Sequence, residues 1–123
     1  NYSEALRRPA PQIAPRHVRL AMEYIQQHPD APVSGSALAE LTNVSLRALQ
    51  DGFRRFVGRS IVGYQRDVRL QRAYEALQRD DARSVSEISL ALGFSNVGRF
   101  CQYFQNAYGM SPAELRRRFS APF

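Results

Sequence analysis

The sequence predicts an all-α fold of about seven helices, and three observations point to it. Apolar residues recur three and four positions apart along most of the chain; serine, asparagine and glycine stand where those runs begin and end; and the punctuated pattern occurs twice. No strand-like alternation or two-residue hairpin signal competes with this pattern.

The elements follow in order. The stretch from Asn1 to Pro15 holds Pro9, Pro11 and Pro15 with little apolar periodicity and reads as a linker or frayed arm; Asn1 is no natural start, so something is expected to precede it. From Arg16 to Gln27, Val18, Met22 and Ile25 form one apolar stripe on a scaffold helix that His28-Pro29 ends. A second helix is expected from about Ser36 to Thr42, with Leu38 and Leu41 inward and Asn43 as a left-handed stop. Ser45 then caps a third, which places Leu49, Phe53, Phe56 and Val57 on one face before Gly58 closes it. Ser60 caps a longer helix reaching about Arg79, with Ile61, Tyr64, Val68 and Leu77 on its buried side. Ser84-Val-Ser-Glu87 is a capping box ahead of Ile88, Leu90 and Leu92; after Gly93, Ser95 is expected to cap a helix carrying Phe100, Phe104, Ala107 and Tyr108 up to Gly109.

The second half repeats the first. Leu38, Asn43, Val44 and Ser45 superpose on Ile88, Gly93, Phe94 and Ser95, all 50 apart; after one inserted residue, Leu49, Phe53, Gly58 and Ser60 superpose on Phe100, Phe104, Gly109 and Ser111, all 51 apart. The repeated unit is a short helix, a tight turn and a longer capped helix, which is the layout of a helix-turn-helix. A helical hairpin used only for packing has the same layout. The expected organisation is an arm over 1–15, a first helix-turn-helix subdomain over 16–59, a long linker helix over 60–79 and a second subdomain over 80–123.

Composition narrows the function. The 123 residues are 44% hydrophobic and 23% charged, enough apolar surface for a core. Apolar runs are short and no secretory pattern opens the chain, so a cytoplasmic, nucleoid-associated protein with no membrane partner is expected. Cys101 is the single cysteine and His17 and His28 are the only histidines, too few soft ligands for a structural zinc site; no metal or cofactor is expected. No acid–base pair, activated nucleophile or phosphate loop stands at workable spacing, which argues against an enzyme.

The net charge is +6, and all 17 basic residues are arginine, the side chain whose planar fork suits phosphates and guanine edges. From Ser45 to Arg72, Arg47, Arg54, Arg55, Arg59, Arg66, Arg69 and Arg72 face only Asp51 and Asp67, whereas from Ala73 to Gly98 acids outnumber arginines. That is the footprint of a polyanion partner. The linker helix, roughly 19 residues and about 28 Å long, would hold two such units near the ~34 Å repeat of the major groove, so a single chain would read an asymmetric duplex. With Leu49 and Phe53 inward, Arg47, Gln50, Asp51 and Arg54 face outward: arginine forks onto guanine, glutamine onto adenine, and aspartate accepts from cytosine or pairs with Arg47 or Arg55. In the second copy Gly98, Arg99, Gln102 and Gln105 face outward, with Cys101 aligned to Gln50. Ser45 and Ser95, with Asn96, Arg54, Arg55, Tyr103 and Arg116, are candidates for the phosphate backbone. Phe53, Phe56, Phe100 and Phe104 have the spacing of core rather than of base-stacking residues, Cys101 reads as a small packing residue, and both histidines are expected to face solvent. Two other readings fit the same features: a helical module that contacts RNA polymerase or another protein, and a nonspecific nucleic-acid binder driven by arginine.

Three segments carry a family resemblance: Glu87-Ile-Ser-Leu-Ala-Leu-Gly-Phe-Ser95, Gly98-Arg-Phe-Cys-Gln-Tyr-Phe104 and Tyr108-Gly-Met-Ser-Pro-Ala-Glu-Leu115. Together with Val44-Ser-Leu-Arg-Ala-Leu-Gln-Asp-Gly-Phe53 and Val68-Arg-Leu70, they resemble the DNA-binding domain of the AraC/XylS family of bacterial transcription regulators over about Ala14 to Phe119. Thr42-Asn43 stands where the family has an Ala-Gly pair, and Asn tolerates that turn. The resemblance implies sequence-specific binding of double-stranded DNA, with base contacts at Arg47, Gln50, Asp51, Val97, Gly98, Arg99 and Gln102, although Gly98 has no side chain to read with. It also implies an amino-terminal effector-binding or dimerising domain, to which Asn1-Tyr-Ser would be the tail of an XylS-like connection, and activation through contact with RNA polymerase.

Overall fold

The computed structural model describes residues 14–79 and 82–120. Residues 1–13 of the expected arm lie outside the described residues; Ala14 is buried, and the carbonyl of Pro15 accepts from the Val18 and Arg19 amides to start the first helix. Helices account for all the regular structure among the described residues: α1 Arg16–Gln27, α2 Gly35–Thr42, α3 Leu46–Gly52 running on into a π-turn over Phe53–Val57, α4 Ile61–Gln78, α5 Val85–Ala91, α6 Val97–Tyr108 and α7 Pro112–Ser120.

The ends are set by the chemistry the sequence advertises. Ser34, Ser45 and Ser60 each accept a main-chain N–H three residues on, and Ser84 and Glu87 form a reciprocal capping box. Asn43, Gly58 and Gly109 adopt the left-handed conformation that stops α2, the π-turn and α6. One start differs from expectation. The cap of α6 is Asn96, whose Oδ1 accepts from the Arg99 amide at 2.9 Å, and Ser95 is an exposed turn residue ahead of it. The residue inserted between the repeats therefore lies before the cap, and Asn96 is the counterpart of Ser45.

Two clusters make the core, and α4 contributes to both. Ile61, Tyr64 and Val68 join Val18, Ile25, Leu38, Leu49 and Phe53. Leu70, Ala73 and Leu77 join Ile88, Phe100, Phe104 and Leu115. With a unit on either flank, α4 is buried on more than one face, which takes in polar residues a single apolar stripe would not. Each has a partner: the Gln65 amide exchanges two hydrogen bonds with the backbone of Val33 (3.0 and 2.8 Å), and Asp67 accepts both Arg59 nitrogens (2.8 and 3.0 Å). Gln71 accepts from Tyr108 Oη at 3.3 Å. Burial pushes the Tyr64 phenol up, opposed by the hydrogen bond it accepts from Gln26.

One inward and one solvent-facing assignment change. Leu41 is 58% and Leu90 56% exposed, because α2 and α5 are short and bury their hydrophobic residues mainly through Leu38 and Ala39, and through Ile88. His17 is half-buried against Gly52 rather than in solvent, while His28 is exposed and stacks on Tyr24. The π-turn was not legible either: its closing bond, Gly58 N–H to Phe53 O at 2.8 Å, spans five residues, and both Phe56 and Val57 pack on the first core.

Candidate nucleic-acid interface

The second helix of each repeat, α3 and α6, shows a polar face from its first turn onward. In α3, Leu49 is fully buried and anchors the helix, leaving Arg47, Gln50 and Asp51 exposed. The Arg47 side chain is 91% exposed and its Nε lies 4.0 Å from Asp51 Oδ2, one helical turn on. A pair this exposed adds little stability and leaves the fork available to a guanine edge. Arg54 and Arg55 continue the exposed surface into the π-turn, Arg55 lying 5.4 Å from the Phe56 ring. Beside them, Gly35, Ser36, Leu46, Gln50, Arg54 and Ser60 line a shallow cleft between the starts of α2, α3 and α4.

In α6, Phe100 and Phe104 are fully buried, which exposes Gly98, Arg99, Gln102 and Gln105; Val97 and Cys101 are half-buried. This face carries one arginine where α3 and its π-turn carry Arg47, Arg54 and Arg55. Tyr103 is half-buried with the Arg66 guanidinium 4.3 Å from its ring centre, and Arg116 on α7 is partly buried.

The charge count along the chain overstates the footprint. Of the seven arginines between Ser45 and Arg72, four sit at or on α4 and are engaged inside the fold. Arg59 grips Asp67, Arg66 covers Tyr103, Arg72 donates to the Gln26 carbonyl at 2.7 Å, and Arg69 lies 4.9 Å from the Phe94 ring centre and donates to the Gly93 carbonyl at 3.4 Å. Burial, with neighbouring Arg66, lowers the pKa of Arg69 from its ordinary value. Arg47, Arg54 and Arg55 remain as the outward cluster. Sequence reasoning missed these internal ties because their partners lie up to 46 residues away. Among the described residues, no group of His, Cys, Asp and Glu is placed to hold a metal ion, and no helix is long and apolar enough to cross a membrane.

A family model described as a helix-turn-helix domain matches residues 38–118. The "Probable thc operon regulatory protein" of Rhodococcus erythropolis is 35% identical over 125 residues, covering 100% of this chain and 37% of that protein. The HTH-type transcriptional activator RhaR of Pectobacterium carotovorum is 33% identical over 110 residues, covering 89% of this chain and 38% of that protein. The chain thus spans little more than a third of these relatives. Among solved structures, the AraC-type DNA-binding domain of a Chromobacterium violaceum regulator superposes with a TM-score of 0.80 at 28% identity, covering 87% of this chain and 95% of that one. An AraC family regulator from Rhodopseudomonas palustris superposes with a TM-score of 0.80 at 31% identity, covering 85% of this chain and 98% of that one. With a duplicated helix-turn-helix and the polar faces of both reading helices outward, this chain belongs to the AraC-type helix-turn-helix family of DNA-binding transcription regulators.

Proposed function

We propose that a single copy of this chain reads an asymmetric duplex, with the starts of α3 and α6 in successive major grooves. The observation that carries this reading is α4: it is unbroken over 18 residues, about 27 Å, and contributes to the cores of both units. Residues 16–59, 60–79 and 80–123 then act as first reader, connector and second reader. Arg47, Gln50 and Asp51 read one half-site; Val97, Gly98, Arg99 and Gln102 read the other, where Gly98 contributes only close backbone approach. Ser45, Arg54, Arg55, Ser95, Asn96, Tyr103 and Arg116 meet phosphates. The first reader supplies most of the affinity, since its exposed face is the more cationic.

The intact regulator acts in the cytoplasm as an activator that touches RNA polymerase, and carries an effector-binding or dimerising domain ahead of this chain. In support, RhaR and the XylDLEGF operon regulator of Pseudomonas putida are named as transcriptional activators, and the relatives are longer than this chain.

Titration of duplex DNA at several salt concentrations tests the reading. The chain should hold a selected site of about two turns at least about a thousandfold more tightly than random duplex at physiological salt. Equal affinities would leave only charge-driven binding. Arg47→Ala should lose about 1–3 kcal/mol of discrimination, while Arg54→Ala should weaken all duplexes alike. Gly98→Arg should alter preference within one half-site only.

A further inference from the structure

The connector is not all that relates the two readers. Arg69, half-buried on α4, covers the Phe94 ring and donates to the Gly93 carbonyl, so it grips the turn that leads into α6. Three residues earlier, Arg66 covers Tyr103 on α6 itself. The gripped turn also touches the first unit: a Cβ built on Gly93, which has φ +89°, would lie 3.0 Å from the carbonyl oxygen of Asp30 and 3.5 Å from Pro32, in the loop between α1 and α2. Arg72 ties α4 to the end of α1 through the Gln26 carbonyl. The two units therefore come close along two routes, through α4 and where the Gly93 turn approaches the α1–α2 loop.

We infer that Arg66 and Arg69 are positioning residues that lock α6 at a fixed angle and distance from α3, and thereby set the spacing between half-sites that the protein accepts. Their guanidiniums act on Tyr103, Phe94 and Gly93 rather than on DNA. The consequence for spacing rests on the two-groove reading; the lock itself does not.

Two measurements separate them. In the free protein, with Cys101→Ser, spin labels at Glu40→Cys and Asn106→Cys report the distance between the units. The expected result is a narrow distribution that broadens clearly in the Arg66→Ala/Arg69→Ala variant; an unchanged width overturns the lock. Arg66→Ala alone, which leaves the half-buried Arg69 in place, should broaden it less and serves if the double variant unfolds. In the second measurement, unlabelled protein is titrated with the selected site, with the same site carrying one extra base pair between its halves, and with a lone first half-site. One added base pair turns the second half-site by a tenth of a helical turn, which should cost the native protein about tenfold in affinity. In the double variant that penalty should largely vanish while first half-site binding stays within about twofold of native, consistent with a contact that carries no base reading. A double alanine variant that lost affinity for all duplexes alike, with a shallower salt dependence and the spacing penalty intact, would mean the arginines act as charges toward phosphate, and overturns the inference. If the native protein ignores the added base pair while the alanine variant still broadens, the two-groove reading and the spacing role fall together and the lock between units stands.

Discussion

The two proposed reading helices occupy equivalent places in the repeat but differ in what packs against them. Gly52 in α3 and Tyr103 in α6 are 51 residues apart, the register of the duplication. A Cβ on Gly52 would lie 2.6 Å from Val18 Cγ2 and 3.2 Å from His17 Nε2, so α1 presses against α3 through the absence of a side chain. At Tyr103 the same place carries a large ring, covered by Arg66 from α4. The first reader is fixed by backbone approach and apolar packing, which leaves its arginines facing outward. The second is fixed by the buried Phe100 and Phe104 and is covered in addition by arginines of α4, and its own face shows fewer charges. The two copies of the repeat thus differ in the charge they expose and in what packs against them: α1 joins only the first core, whereas α4 contributes to both.

Truncating the matched core rings tests this comparison hardest. Phe53→Ala and Phe104→Ala should each cost about 3–5 kcal/mol, since both side chains are fully buried. Because α4 feeds both cores, denaturant unfolding should remain a single transition in each variant. Two separated transitions would show that the units fold independently. Gly52→Ala should cost about 1–3 kcal/mol through overpacking against Val18, a stiff, fully buried neighbour. A neutral result by the same denaturant measurement would break the claim that close approach fixes the first reader.

The caps give the smallest and sharpest contrast. Ser45→Ala and Asn96→Ala should each cost about 1 kcal/mol, whereas Ser95→Ala should stay within about 0.5 kcal/mol because its hydroxyl is not the cap. Were Ser95→Ala the costlier of the two changes before α6, the placement of the inserted residue would be wrong.

Much of this architecture is written locally. The bounds of α1, the caps at Ser45, Ser60 and Ser84, and the stops at Asn43, Gly58 and Gly109 depend on residues within a few positions of one another, and these match expectation. Where two local signals compete, the reading slips: Ser95 and Asn96 are both good cap residues, and in the structure it is Asn96 that caps α6. Leu41 fits a helical stripe with Leu38 yet faces outward, since periodicity marks an apolar side without showing whether a neighbour covers it. The π-turn has no composition of its own. Among the candidate interface residues, the exposure of Arg47, Gln50, Asp51, Arg99 and Gln102 follows from the buried positions beside them, so it was legible.

By itself, the chain's order of residues determined helix type, helix ends and the duplicated register, because capping and 3.6-residue periodicity are short-range effects. Only the tertiary structure decided which arginines face outward and which hold the molecule together. Arg59 and Arg47 look alike along the chain, yet one meets a buried carboxylate and the other stands in solvent. Charge can be counted from composition, but whether it remains available to a polyanion depends on partners such as Gln26 and Gly93, which folding alone brings to Arg72 and Arg69.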